Sequence, residues 1–302
     1  MYRRLFSSAA IHFHENPLGL PRQKAAPQIP RRTGPAKRGI PNVKKVLAVA
    51  SGKGGVGKST VAVNLAFALG MLPGRLRVGI LDLDIFGPSV PTLMGLSHAG
   101  EPNLTESGAL LPVTNHGLAT MSMGYLLPKG VDTAVVWRGL MVQKAVQQLL
   151  FDVDWSRGGG LDVLVVDMPP GTGDVPLTLG QLVNVDGSVI VSTPQDVALT
   201  DVKKGIAMFR KVSVPVTGLV LNQSHFICAN CSTPHYLFGS PDRFHEAAKL
   251  MEVDVLGELP LVPDVSEGGD SGVPYALTGR NEAWNEVMRG VAEKVWATLH
   301  VS

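Results

Sequence analysis

Short apolar runs closed by polar residues recur along this chain, and longer stretches with apolar positions three and four apart lie between them. VKKVLAVA (43–50), RVGILDLD (77–84), LDVLVVDMPP (161–170), GSVIVSTPQ (187–195), VTGLVLN (216–222) and VDVLGELP (253–260) predict strands. The intervening pattern predicts helices over 58–69, 138–151, 197–211 and 240–251, the first with Val61, Leu65, Ala68 and Leu69 on one face. Near-continuous apolar strands joined by helices predict a three-layer α/β fold, a mostly parallel sheet with helices on both faces. The polar residues cluster at the strand ends, where ligands sit in such sheets. Over 281–300, Trp284, Val287, Val291, Val295 and Leu299 form one helical stripe. The polar face of that stretch is mixed rather than strongly basic, which favours a core-packing terminal helix over a peripheral membrane anchor.

Composition adds a boundary. The 302 residues are 45% hydrophobic, ample for a core, and no apolar run approaches the roughly 20 residues of a membrane span. The net charge of +2 hides an asymmetry: residues 1–45 hold ten Lys or Arg against the single acid Glu15. The remainder carries 17 basic and 24 acidic side chains, a formal −7, which argues against a nucleic-acid surface. MYRRLFSSAAIHF is basic, hydroxyl-containing and acid-free, the composition of an organelle transit peptide. Six prolines within 14–43 read as an extended linker, so residues 1–43 are expected to be leader and linker and 44–302 the folded domain.

GKGGVGKST (52–60) satisfies G-x-x-x-x-G-K-[ST] between a predicted strand and a predicted helix, the context the motif requires. Gly52, Gly54, Gly55, Val56 and Gly57 would bring backbone N–H groups close to phosphate oxygens, and the helix N-terminus adds positive potential. Lys58 is placed to reach the β and γ phosphates, Ser59 to offer a hydroxyl to Mg²⁺, and Thr60 to support the α-phosphate. Lys53 is a second loop cation, suited to the charge of a transferring phosphoryl group. Asp167 ends VLVVD, where an acid holds Mg²⁺ through water. Asp84 ends ILDLD, where it can orient an attacking water, and Asp82 precedes it on the same strand face. PPGTGD (169–174) would move with the γ-phosphate as a switch segment. The absence of N-K-x-D favours adenine over guanine, with Asn222 a candidate for the base edge or a turn residue.

The two cysteines, Cys228 and Cys231, form one C-x-x-C in HFICANCSTPH (225–235). No disulfide framework is available, and a reducing compartment fits. Two thiolates are half of a tetrahedral soft-metal site. His225 or His235 would complete part of a zinc site; a twofold dimer would supply four thiolates for zinc or a [4Fe–4S] cluster; a dithiol–disulfide couple is a third reading. Buried structural cysteines are a weaker fourth, since Asn230, Ser232, Thr233 and Pro234 suggest an exposed loop.

KGGVGKST with its extra Lys53 resembles the deviant Walker A family of dimeric ATPases. LDLDIFGPSVP (81–91), VVWRGLM (135–141), VVDMPPGTGD (165–174), VSTPQDVAL (191–199) and the later C-x-x-C together resemble the Mrp/Nbp-type iron–sulfur scaffold ATPases, over about residues 40–280. The leader makes the chain most similar to the mitochondrial NUBPL-like branch. The absence of any cysteine before Cys228 departs from the cytosolic branch, which carries an N-terminal cysteine cluster. The resemblance implies a homodimeric, slow ATP hydrolase of the mitochondrial matrix that carries a labile [4Fe–4S] cluster on Cys228 and Cys231 of both chains. It implies delivery to apo iron–sulfur proteins, among them complex I subunits. Lys53, Asp84 and Asp167 would take the catalytic roles, with ATP and Mg²⁺ on Lys58, Ser59 and Thr60. It assigns no chemistry to Trp137 or Arg138. Two competing expectations are a MinD/ParA-like positioning ATPase switching on membrane or DNA, and a zinc-stabilised ATP-dependent interaction module.

Overall fold

The structure, a computed structural model, describes residues 36–126, 139–228, 230–231, 233–279 and 282–301. Trp137, Arg138 and the leader up to residue 35 lie outside the described residues. In chain order the elements begin with β1 (Val43–Ser51), α1 (Lys58–Gly70), β2 (Val78–Asp82), α2 (Val90–Leu93), β3 (Val113–Asn115) and β4 (Leu118–Ser122). They continue through α3 (Gly139–Phe151), β5 (Leu161–Asp167), α4 (Asp174–Leu182), β6 (Gly187–Ser192), α5 (Asp196–Lys211) and β7 (Val216–Leu221). A small hairpin, β8 (Phe226–Ile227) and β9 (Pro234–His235), precedes α6 (Asp242–Leu250), β10 (Val255–Glu258), α7 (Pro263–Ser271) and α8 (Glu282–Val301).

Eight strands form one sheet in the order β10-β7-β6-β1-β5-β2-β4-β3, parallel throughout except for the antiparallel edge strand β3. The period of two in β1 divides the core. Val46, Ala48 and Ala50 face one side with Leu149, Leu179, Ile206 and Phe209, while Leu47 and Val49 face the other with Leu65, Leu69, Val291 and Leu299. Both faces are therefore covered, as the apolar runs require.

Helix α1 differs from the one-faced helix expected of it: every residue from Val61 to Leu69 is buried, Asn64 included. Asn64 tolerates this because its amide donates to Thr60 O at 2.8 Å and its Oδ1 accepts from Ala276 N at 2.7 Å. In α8, Trp284, Val291, Val295 and Leu299 are buried in the core, so the stripe faces the sheet rather than a membrane. Among the described residues no helix is long and apolar enough to cross one.

The segment expected to be linker up to residue 43 joins the domain earlier. Ile40 is buried, Arg38 N donates to Leu182 O at 2.9 Å, and the Arg38 guanidinium lies 3.5 Å from the Phe151 ring centre. Proline content alone does not reveal a strand pairing made by main-chain atoms and a cation over a distant ring.

At the N-terminal ends of the central strands Asp162 accepts from Arg77 N, Nε and Nη2 at 2.9, 3.1 and 3.0 Å and from Lys44 Nζ at 2.9 Å. The Arg77 side-chain hydrogen bonds, helped by Lys44, hold the Asp162 carboxyl well below the usual carboxylate range. A depressed folded-state pKa contributes stability above the unfolded value of about 4, and that contribution is lost as pH falls through the folded value. Asp162→Asn should cost about 1–2 kcal/mol at pH 7, kept modest by the solvent exposure of Arg77 and Lys44. Urea melts should show the gap between wild type and variant narrowing from pH 5 to pH 2, with nucleotide turnover unchanged at pH 7.

Candidate functional site

Strand β1 ends at Ser51, the glycine-rich loop turns, and α1 starts at Lys58, so the loop's amides crown the C-terminal edge of the sheet. The turn needs Gly57. Its φ is +78°, and a Cβ there would meet the Asn222 amide. Gly52 is needed for a different reason, since a Cβ would run into the backbone and side chain of Asp201. A cavity of about 430 Å³ opens over the loop and is lined by Gly54, Gly55, Gly57, Lys58, Ser59, Thr60 and Asp84. Ser89, Thr92 and Asp270, from the α2 region and α7, complete its far wall; spacing along the sequence gave no sign of them.

Beneath the loop Lys58, 6% exposed, donates to Asp167 Oδ1 at 2.5 Å and to Ser59 Oγ at 3.0 Å. Asp167 ends β5 beside Asp82 of β2, in direct register, so two carboxylates share the neighbourhood of one ammonium. Burial, then the charge of Asp167, push Asp82 up to about 7. Burial also pushes Asp167 up, with Lys58 opposing, and it raises Asp84, again against Lys58. Asp82 accepts from Asp84 N at 2.9 Å, Ser122 Oγ at 3.0 Å and Val90 N at 3.3 Å, which ties β2 to β4 and to α2. Asp167 Oδ2 is buried and has no hydrogen-bond partner among the described residues. A buried lone acceptor next to Ser59 suits a hydrated divalent cation.

Lys53 does not line the cavity. Its Nζ donates to Gln195 Oε1 at 2.6 Å, beyond the end of β6. Asn222 likewise turns to the loop itself, donating from Nδ2 to Val56 O at 2.8 Å. It lines a second, smaller cavity of about 140 Å³ with Gly57, Thr60, Gln223, Pro260 and Val262. The PPGTGD segment leans on the phosphate loop: Gly171 N donates to Ser51 O at 2.8 Å, with Gly171 at φ +86°.

The cysteines stand elsewhere, at the tip of the β8–β9 hairpin. Phe226 pairs with His235 and Ile227 with Pro234, and Cys228 N donates to Thr233 O at 3.1 Å. Cys228 is half-buried and Cys231 exposed, and neither is in a disulfide. Hydrogen bonding to Thr233 lowers the Cys231 thiol from its ordinary value. The hairpin base is tied to the small cavity's wall, since Leu261 N donates to His225 O at 2.7 Å and Ser224 N to Leu259 O at 3.0 Å. His225 turns away from the thiols, with Nδ1 3.0 Å from Ser224 Oγ, whereas His235 joins them.

A parallel sheet carrying this loop, its two lysines and acids at the ends of β2 and β5 defines a P-loop NTPase of the deviant Walker A type. The chain belongs to the NUBPL iron-transfer P-loop NTPase family, a ParA-type group whose model matches residues 42–296. It is similar to the iron–sulfur cluster transfer protein NUBPL of Mus musculus, 49% identical over 85% of this chain and 78% of the relative. It is 46% identical to the Arabidopsis thaliana mitochondrial iron–sulfur protein required for NADH dehydrogenase, over 84% of this chain and 78% of that one. Among solved structures, the nucleotide-binding protein of Archaeoglobus fulgidus in complex with ADP is 36% identical. It covers 76% of this chain and 87% of its own, with a TM-score of 0.64.

Proposed function

We propose that this protein is an ATP-dependent iron–sulfur cluster carrier of the mitochondrial matrix. Two chains hold one [4Fe–4S] cluster between their Cys228 and Cys231 pairs and deliver it to apo iron–sulfur proteins, complex I subunits among them. The observation that carries this reading is an open dithiol, Cys231 exposed and its pKa lowered, on the same chain as a complete P-loop site. Two thiolates leave a tetrahedral site half filled, and a second copy supplies the rest. Relatives named for cluster transfer and for NADH dehydrogenase support the cargo and the destination. The basic, acid-free leader supports the compartment. A positioning ATPase would leave the cysteine hairpin without a use.

In the nucleotide site the loop amides and Lys58 bind the phosphates, Ser59 and Asp167 hold Mg²⁺, and Thr60 supports the α-phosphate. Bound Mg²⁺ supplies neutralisation of phosphate charge. Asp84 orients the attacking water. Lys53 leaves Gln195 to reach the phosphates when two chains meet. The cavity beside Asn222 takes the adenine. Its wall bears the cysteine hairpin through the Leu261–His225 bond, a short mechanical path from nucleotide to cluster. Hydrolysis is slow and coupled to cluster binding or transfer.

The test is transfer itself. Cluster-loaded protein, freed of unbound iron, should convert an apo-protein that needs [4Fe–4S] to its active form while an iron chelator is present in excess. Conversion abolished by the chelator would mean release of free iron and would overturn the carrier reading.

A further inference from the structure

Among the described residues, Cys228, Cys231 and His235 are the one group of three His, Cys, Asp or Glu side chains whose ligand atoms converge, all within 4.8 Å of one another. The convergence follows from the hairpin. Pairing of Phe226 with His235 and the Cys228 N to Thr233 O bond set the end of β8 against the start of β9. The thiols and the imidazole therefore meet at the tip of one chain. In a tetrahedral zinc site, S and N ligands lie roughly 3.5–3.8 Å apart, given metal bonds of about 2.3 and 2.0 Å. Separations within 4.8 Å exceed those values by at most about 1.3 Å, which rotation of the side chains, exposed at Cys231 and His235 and half-buried at Cys228, closes without moving the backbone.

We infer that a single chain holds one divalent soft-metal ion, Fe²⁺ or Zn²⁺, on Cys228 Sγ, Cys231 Sγ and a ring nitrogen of His235, with a solvent molecule as fourth ligand. Two thiolates and a neutral imidazole balance the ion's charge, and binding releases the protons of both thiols. Two thiolates alone leave half of a tetrahedral site to solvent; the third ligand makes the hairpin a tridentate chelate in one protomer. His235, not His225, is the nitrogen donor, because His225 is engaged by Ser224 and lies outside the group. The inference does not depend on cluster carriage, since it concerns one chain and one ion.

Co²⁺ is the probe. Full-length protein, reduced and anaerobic, is titrated at a concentration where its native mass is that of one chain. Thiolate-to-cobalt charge transfer and intense ligand-field bands should saturate at one Co²⁺ per chain. His235→Ala should weaken binding at least tenfold and shift the ligand-field bands while charge transfer persists; His225→Ala should change neither. An unaltered titration in His235→Ala would overturn the inference. So would saturation at one Co²⁺ per two chains with doubling of the mass, a result that favours four bridging thiolates and leaves the proposed carrier role standing.

Discussion

Lys58→Ala should lower nucleotide hydrolysis by at least about a hundredfold and, unlike most P-loop contacts, should also destabilise the protein without nucleotide. The first effect follows from losing a preorganised cation aimed at developing phosphate charge, a loss of 10²–10³ for comparable donors. The second follows from what Lys58 does in this structure. It is the cation in contact with Asp167, which is fully buried. Removing it strands a carboxylate in the core, where breaking a buried pair costs about 3–5 kcal/mol unless the acid takes up a proton. Burial already raises Asp167, and without Lys58 it rises further. A raised folded-state pKa gives stability that is present at low pH and lost as pH climbs through it. Denaturation should therefore show Lys58→Ala recovering stability relative to wild type as the pH is lowered from neutrality. Lys53→Ala, which loses one contact to Gln195, should leave stability nearly unchanged. Equal stability losses for both lysines would refute the role given to Lys58.

The second large effect belongs to the hairpin. Cys228→Ala combined with Cys231→Ala should abolish retention of iron and sulfide after anaerobic reconstitution while leaving nucleotide turnover within about twofold. The separation is expected because neither cysteine lines either cavity at the phosphate loop, and both lie at an exposed tip whose removal empties no core volume. Loss of nucleotide turnover together with cluster binding would mean the two sites share a structural element beyond the Leu261–His225 bond.

The central strands, α1, α3, α5, α6 and α8 were legible because buried parallel strands are written as continuous apolar runs and the stretches between them repeat apolar residues three and four apart. The β3–β4 hairpin was not: VTN and LATMS are short, and their placement depends on pairing with β2 rather than on their own pattern. Helix α7, PDVSEGGDS, has one apolar residue beyond its opening proline and is held by its position against α2, so Asp270 at the cavity had no sequence signal. The phosphate loop was legible residue by residue. Its partners were less so. The pairing of Lys58 with Asp167 spans 109 positions, and Gln195 as the rest position of Lys53 follows from β6 lying beside β1. Asn222 Nδ2 donates to Val56 O and braces the loop, a contact that its place at the end of a strand does not reveal. The two histidines flanking the C-x-x-C were equivalent on spacing, and the hairpin register separates them.

The central claim is that two chains complete with four thiolates what one chain offers with two. Iron, acid-labile sulfide and native mass after anaerobic reconstitution of the full chain test it in one preparation. About two iron and two sulfide per chain in a particle of two chains are expected, one [4Fe–4S] shared by a pair. Stoichiometric zinc with no retained iron, or the same iron content in the double-alanine variant, would contradict it.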